Sequence, residues 1–232
     1  GYIDFKTKEK LSTSTFSLDY GQFNTKRILS MLNLKNTDKT GAYIAGEFLM
    51  SDGAFDASQN FNRMNVFAKY TGRLNSFDKL SLTASYFTSK WDASGQIPQR
   101  AVDAGLISRF GAIDDTEGGY TDRTNLSVDY FKFINRNTYL TNKIYWSNYN
   151  FQLFSNFTFF LNDPINGDQI LQEENRNIYG FNSELSHIQK IGQYEIKLSG
   201  GIGMRYDDIN DISLSHTVNR KEILEQIMFG DI

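Results

Sequence analysis

The 232-residue sequence has no cysteine, only 2 prolines and 2 histidines, and no apolar run long enough for a membrane helix. Without cysteine there is no disulfide framework, no thiolate zinc site and no thiol nucleophile. Without a run of about 18 apolar residues a transmembrane helix is excluded. That test is blind to a membrane barrel, whose strands alternate between lipid and lumen. Charge of one sign is also missing: 24 Lys and Arg against 27 Asp and Glu give a net charge of −3, with both signs mixed along the chain. No basic face is offered to nucleic acid, and no such partner is expected. Nor is there a signal peptide, since Gly1 opens directly into Tyr2-Ile3-Asp4-Phe5. If the chain belongs to an outer-membrane protein, which needs one, either processing or truncation has removed the true start, and truncation is the expectation.

What the sequence does have is strand formers, 13 Tyr and 19 Phe among them, in strict period-2 alternation. Tyr194, Ile196, Leu198, Gly200, Ile202, Met204 and Tyr206 alternate with Glu195, Lys197, Ser199, Gly201, Gly203, Arg205 and Asp207. The same greasy and wet pattern recurs at residues 63–70, 80–86 and 125–130. Nine strands are predicted, near 14–23, 26–36, 41–51, 60–74, 79–91, 122–134, 138–160, 177–189 and 193–207. They exceed the 5 to 6 residues usual in soluble sheets, which favours a transmembrane barrel over a sandwich. Tight turns at 37–40, 75–78, 135–137 and 190–192 alternate with long loops at 52–59, 92–121, 161–176 and 208–232. Short periplasmic turns and long external loops are the outer-membrane arrangement, so the first strand should run outward. The short connection at Asn24-Thr25 departs from it. An odd strand number cannot close such a barrel, so further strands are expected after Ile232.

Aromatics near strand ends, Tyr20, Phe23, Phe48, Trp91, Phe131, Phe133, Phe157, Phe159 and Phe160, are expected to form interface girdles. Two loop segments read as short helices. One begins at Pro98, with Val102, Leu106 and Phe110 at helical spacing and Gly111 as a stop. The other has a capping-box-like Asn219 and Glu222, with Ile223 and Ile227 on one face and Gly230 closing it. His187 and His216 lack the spacing of a metal pair or triad and are expected to be structural or solvated. The acidic groups Asp114, Asp115 and Glu117, then Asp163, Asp168, Glu173 and Glu174, then Asp207, Asp208 and Asp211, lack EF-hand spacing and read as solvated external loops or contacts to neighbouring loops rather than calcium sites. Arg100 and Arg109 flank the first helical segment. With Gln96 they present donors suited to an anionic ligand such as a ferric chelate, unless Asp103, Asp114 or Asp115 pairs with them. Arg63, Lys69, Lys197 and Arg205 fall on the wet face and suit contacts to a plug. Glycines 200, 201 and 203 suit bending or close plug approach.

Within residues 94–119, the runs Gln96-Ile97-Pro98-Gln99-Arg100-Ala101-Val102 and Gly105-Leu106-Ile107-Ser108-Arg109-Phe110-Gly111-Ala112-Ile113-Asp114 closely resemble an external-loop segment of TonB-dependent receptors. Gly1–Lys8 resembles the end of that family's plug domain. The resemblance implies all-β architecture, with residues 1–9 ending a plug and 10–232 forming the first part of an antiparallel barrel of about 22 strands. It implies uptake of a scarce ligand, an iron-siderophore or similar chelate, powered through TonB by the N-terminal part, with outer-membrane lipid as surroundings and no cofactor or catalytic residue. The rival readings are a small closed outer-membrane barrel acting as adhesin or enzyme, and a soluble β-rich binding domain.

Overall fold

A computed structural model describes residues 6–230, apart from the side chain of Glu222. Ten strands run in chain order: β1 Thr15–Tyr20, β2 Lys26–Asn36, β3 Thr40–Ser51, β4 Phe61–Arg73, β5 Lys79–Ala93, β6 Glu117–Asn135, β7 Thr138–Ser155, β8 Ile170–Ile191, β9 Tyr194–Val218 and β10 Glu222–Gly230. All belong to one antiparallel sheet in which each strand pairs only with its neighbours in sequence. Nothing packs a second sheet against it, and β1 does not pair with β10 among the described residues. A sandwich would have buried the apolar stripe between layers, so that rival is excluded for these strands.

Alternation decides the two faces. A cross-strand row runs Leu32, Ile44, Ala68, Ala84, Leu126, Trp146, Tyr179 and Tyr206, and the next row toward the tight turns runs Ala42, Tyr70, Leu82, Val128, Ile144, Phe181 and Met204. Most of this apolar face is exposed, Ile144 to 64%. On the opposite face Tyr43 is only 6% exposed, and Thr71, Ser81, Ser89, Ser147 and Ser186 are buried too. Side chains converge inside a curved sheet and diverge outside it, so the sheet wraps around its polar face.

The apolar band does not follow the hydrogen-bonded rows. Ile28, Phe48 and Met64 share a row with Thr88, Asp122, Asn150 and Asn175. Toward β9 the band therefore shifts to the turn end, where Leu198 and Ile196 carry it on. Strands tilted by about 35–45° to a flat hydrocarbon slab require such a shift.

Several sequence expectations are corrected. The 219–230 segment is a strand, not a helix: Asn219 and Arg220 have φ of 53° and 60°, and the Lys221 N–H donates to the Val218 carbonyl at 3.0 Å. Two successive residues at positive φ make a tight hairpin turn of the kind that matches strand twist, and β10 returns along β9. Ten strands thus run through the described residues where nine were expected, and β9 runs to Val218, so 208–230 is strand and hairpin rather than a loop. β6 and β8 also begin earlier than expected, at Glu117 and Ile170, which shortens two of the three remaining long connections. The girdle assignment fails for Trp91, Phe131 and Phe133, which lie on the polar face by register with Gly119, Lys79 and Tyr139. The aromatics on the apolar face include Trp146, Tyr179 and Tyr206, the last two stacked at 6.4 Å.

The first helix forms as α1, Gln99–Asp103, with Pro98 as its N-cap. It ends earlier than expected. Gly105, at φ 67°, donates to Val102 and Leu106 donates to Ala101 at 3.0 and 2.9 Å, a glycine-terminated C-cap that stops the helix before Gly111.

Candidate functional site: the loop end and the polar face

The connections 52–60, 94–116 and 156–169 and the turn 219–221 gather at one end of the sheet. Gln96, Arg100 and Arg109 all lie in the second of these and are exposed. Two of their three expected acidic competitors are engaged elsewhere: Asp103 accepts from Gln99 at 2.7 Å, and Asp114 from Asn156 at 2.9 Å. No ion pair among the described residues involves Arg100 or Arg109. The loop carrying them is anchored instead by Ser108 on Asp56, by the Asp56 N–H on the Phe110 carbonyl at 2.9 Å, and by the Phe55 and Phe110 rings at 6.2 Å.

Beneath the loops lies a buried polar hub. Gln169, 2% exposed, donates to Asp114 at 3.2 Å and Thr116 at 2.7 Å, and accepts from Thr217 at 3.2 Å and the Arg220 N–H at 3.0 Å. Arg220 donates to Asp92 at 2.6 Å and to the Thr116 and Glu117 carbonyls, and its guanidinium lies 5.6 Å from the Phe154 ring centre. Burial pushes the Asp114 carboxyl up, but hydrogen bonds from Thr116, Asn156 and Gln169 outweigh it and keep the group below the ordinary carboxylate range. Gly118, at φ 142°, has no room for a side chain between Trp91 and Arg220. Sequence reasoning missed this hub because its members are remote in the chain.

The acidic loop 156–169 is organised by its own backbone. The Asp168 carboxylate accepts the N–H groups of Leu161, Asn162 and Asp163 at 3.0, 3.0 and 2.7 Å, and Asp163 accepts those of Ile165 and Asn166, both at 2.9 Å. Burial alone would push the Asp168 carboxyl up, yet these bonds and the Thr158 hydroxyl hold it down to about 2. His216 faces the Gly167 carbonyl oxygen at 2.7 Å, and His187 the Thr138 hydroxyl at 2.9 Å.

On the polar face the chain segment before β1 lies across β3, β4 and β5. The Tyr43 hydroxyl donates to the Lys8 carbonyl at 3.0 Å, Lys69 to the Thr7 hydroxyl at 2.7 Å, and Lys79 pairs with Glu9. Gly41 supplies the close approach, since a side chain there would meet the Glu9 carbonyl. Of the four cations expected to face a plug, Lys69 meets this segment. Arg63 pairs with Glu47 at 3.1 Å, Arg205 with Asp207 at 2.6 Å, and Lys197 sits 5.5 Å over the Tyr139 ring. Residues 1–5, the start of the plug-like stretch, lie outside the described residues. A groove of about 830 Å³ continues beside the segment, lined by Lys69, Lys143, Asp129, Glu184, Gly201 and Gly203. Nearer the loop end, Trp91 and Phe61 border a cavity of about 480 Å³ with Gln59 and Ser51. Its signal in the sequence was parity: Trp91 continues the Thr83, Ser85, Phe87, Ser89 side of β5.

A single meandering sheet with an exposed apolar face, a polar face crossed by its own N-terminal segment, and loops massed at one end is the wall of a membrane-type barrel. Two solved import proteins share this fold. The ferric citrate transporter FecA in its unliganded form superposes with a TM-score of 0.69 at 12% identity, over 91% of this chain and 30% of its own. The ferric-catecholate import receptor Fiu from E. coli K12, in an open form, superposes at 0.67 with 15% identity, over 97% and 40%. The fold is therefore that of the barrel wall of TonB-dependent receptors, and the chain spans about a third of the length of these structures. Compared by sequence, the chain matches no family model and no curated protein.

Proposed function

We propose that this chain is the first part of the barrel of a TonB-dependent outer-membrane receptor, with residues 1–9 ending its plug domain and residues 10–232 forming barrel wall. The observation that carries the reading is the continuous exposed apolar band on one face of a sheet whose other face holds buried polar side chains and the segment Thr7–Glu9. Both fold neighbours are iron-chelate import proteins, which supports an iron-siderophore or similar chelate as cargo. Energy would come from the TonB complex through the N-terminal part of the protein, and the chain itself contributes binding and passage, not catalysis. A small closed barrel is disfavoured because β1 and β10 do not pair.

Gln96, Arg100 and Arg109 are the proposed ligand contacts. Guanidinium forks match carboxylate or phenolate oxygens of a chelate, and neither arginine is committed to an ion pair. In the full-length receptor, Arg100→Ala with Arg109→Ala is expected to weaken binding of ferric citrate or a ferric catecholate by about tenfold or more, from loss of charge-assisted hydrogen bonds. Heat-modifiable gel migration should report unchanged barrel assembly. Unaltered affinity across both chelate classes removes these residues from the site.

A further inference from the structure

The apolar face does not end at the Trp146, Tyr179 and Tyr206 row. Toward the loop end it continues as Thr124, Asn148, Asn177 and Asp208, then Asp122, Asn150, Asn175 and Asn210, then Tyr120, Gln152, Glu173 and Ser213, with Phe229 paired to Ser213. This face is polar and acidic, with carboxylates but no lysine or arginine at the positions named. Its carboxamides bond one another and a carboxylate: Asn148 donates to Asn177 at 3.1 Å, Asn175 to Asn150 at 2.6 Å, and Asn150 to the Asp122 carboxylate at 2.9 Å. Gln152 donates to Glu173 at 2.8 Å, and Ser213 to the same carboxylate at 3.2 Å.

These upper rows line a cleft of about 540 Å³, with Tyr120 on one side and Phe229 on the other. Its depth comes from β9. Asp211, at φ 54°, marks a bulge where the pairing steps from Asn175 with Asn210 to Glu173 with Ser213, and bulges bend the strand that carries them. Ser215, 3% exposed, lines the loop end of the cleft, two residues before Thr217 of the hub.

We infer that this cleft binds the carbohydrate headgroup of a glycolipid in the surrounding outer leaflet, an inference that rests on the membrane reading above. Three features select that ligand. The cleft lies on the face that carries the apolar band: Asn150 is four residues beyond Trp146, which at 3.4 Å per residue and a 45° tilt is roughly 10 Å of height. That is headgroup depth, inaccessible to a ligand travelling along the opposite face. Fixed carboxamides and the carboxylates of Glu173, Glu174 and Asp211, between the Tyr120 and Phe229 rings, offer acceptors and donors to neighbouring hydroxyls above an apolar sugar face. No lysine or arginine lines the cleft, and Lys90, next in the row, lies beyond Tyr120, so the site is built for sugar hydroxyls rather than phosphate.

The test uses full-length protein extracted from outer membranes, reconstituted with phospholipid containing one of four probes. These are an intact outer-leaflet glycolipid, its dephosphorylated form, its lipid anchor stripped of saccharide, and the saccharide freed of acyl chains. Native mass spectrometry reads the bound molecule. The intact and dephosphorylated glycolipids should be retained alike, and the stripped anchor lost. The free saccharide should bind at least about tenfold more weakly, lacking the membrane's effective concentration. Gln152→Ala with Asn175→Ala, and separately Tyr120→Ala, should each reduce glycolipid retention about tenfold while the protein remains heat-modifiable. The inference is overturned by equal retention in both variants, by binding of the stripped anchor, by loss of binding on dephosphorylation, or by free saccharide binding as well as glycolipid. Protein missing from the membrane fraction would instead sink the receptor assignment itself.

Discussion

At the scale of single residues, the turn at 74–78 shows how a charged group fixes a connection. Asp78 accepts from Lys132 at 2.8 Å, from Asn75 at 2.9 Å and from the Phe133 N–H at 2.9 Å. Lys132, with Asn75 and the Phe133 N–H behind it, holds the carboxyl at about 2. A carboxyl depressed in the folded state adds stability that is complete above its unfolded value, near about 3.9, and lost as pH falls toward the folded value. Asp78→Asn is therefore expected to lower the urea midpoint at neutral pH. It should also flatten the fall in stability between about pH 4 and pH 2, leaving the part that Asp114, Asp163, Asp168 and other depressed carboxyls contribute. Urea titrations of both proteins across that window check this, and parallel pH profiles would contradict it. The sequence displayed Asp78 as one turn residue among several, since its partners Lys132 and Phe133 come from a hairpin more than fifty residues away.

At the scale of elements, alternation made most strands legible and turn chemistry misled at one place. Ile212, Leu214, His216 and Val218 alternate with Ser213, Ser215 and Thr217 as cleanly as any predicted strand. The bulge at Asp211 breaks the phase with the preceding residues, which hid that continuation. Asn219 and Glu222 then imitated a helix start, although Asn219 serves the hairpin by accepting positive φ. The site divides in the same way. Gln96, Arg100 and Arg109 stand in a loop readable from its sequence, whereas the hub joining Asp92, Thr116, Gln169 and Arg220 exists only through long-range pairing. Arg220 couples the β9 to β10 turn to the ends of β5 and β6. Arg220→Ala removes several charge-assisted hydrogen bonds, each worth about 1.5–3 kcal/mol. Amide exchange at 114–118 and 217–223 should then accelerate about tenfold or more, while the strand pairs nearer the tight turns keep their protection. Unchanged exchange at both segments would show that the turn is held by pairing alone.

At the scale of the whole molecule, a single proposition organises the rest: the row-crossing band from Ile28 and Phe48 on β2 and β3 to Leu198 on β9 faces hydrocarbon. On it rest the proposed cargo path along the polar interior, the proposed placing of the massed loops outside, and the proposed glycolipid cleft on the outer wall. The sequence alone announced two faces, but only register could show that the band crosses the hydrogen-bonded rows obliquely, or that Trp91, Phe131 and Phe133 turn inward. These 232 residues hold no cysteine, so once any cysteine elsewhere in the full-length receptor is replaced by serine, each introduced thiol is unique. Spin labels placed one at a time at Leu126 through Asp129 on β6 and Lys143 through Trp146 on β7, in full-length receptor reconstituted in bilayers, report access to lipid-soluble oxygen and to a water-soluble nickel chelate. Oxygen access should peak at Leu126, Val128, Ile144 and Trp146 and fall at Ser127, Asp129, Lys143 and Tyr145. Access without period 2, or with its maxima on the second set, would contradict the account.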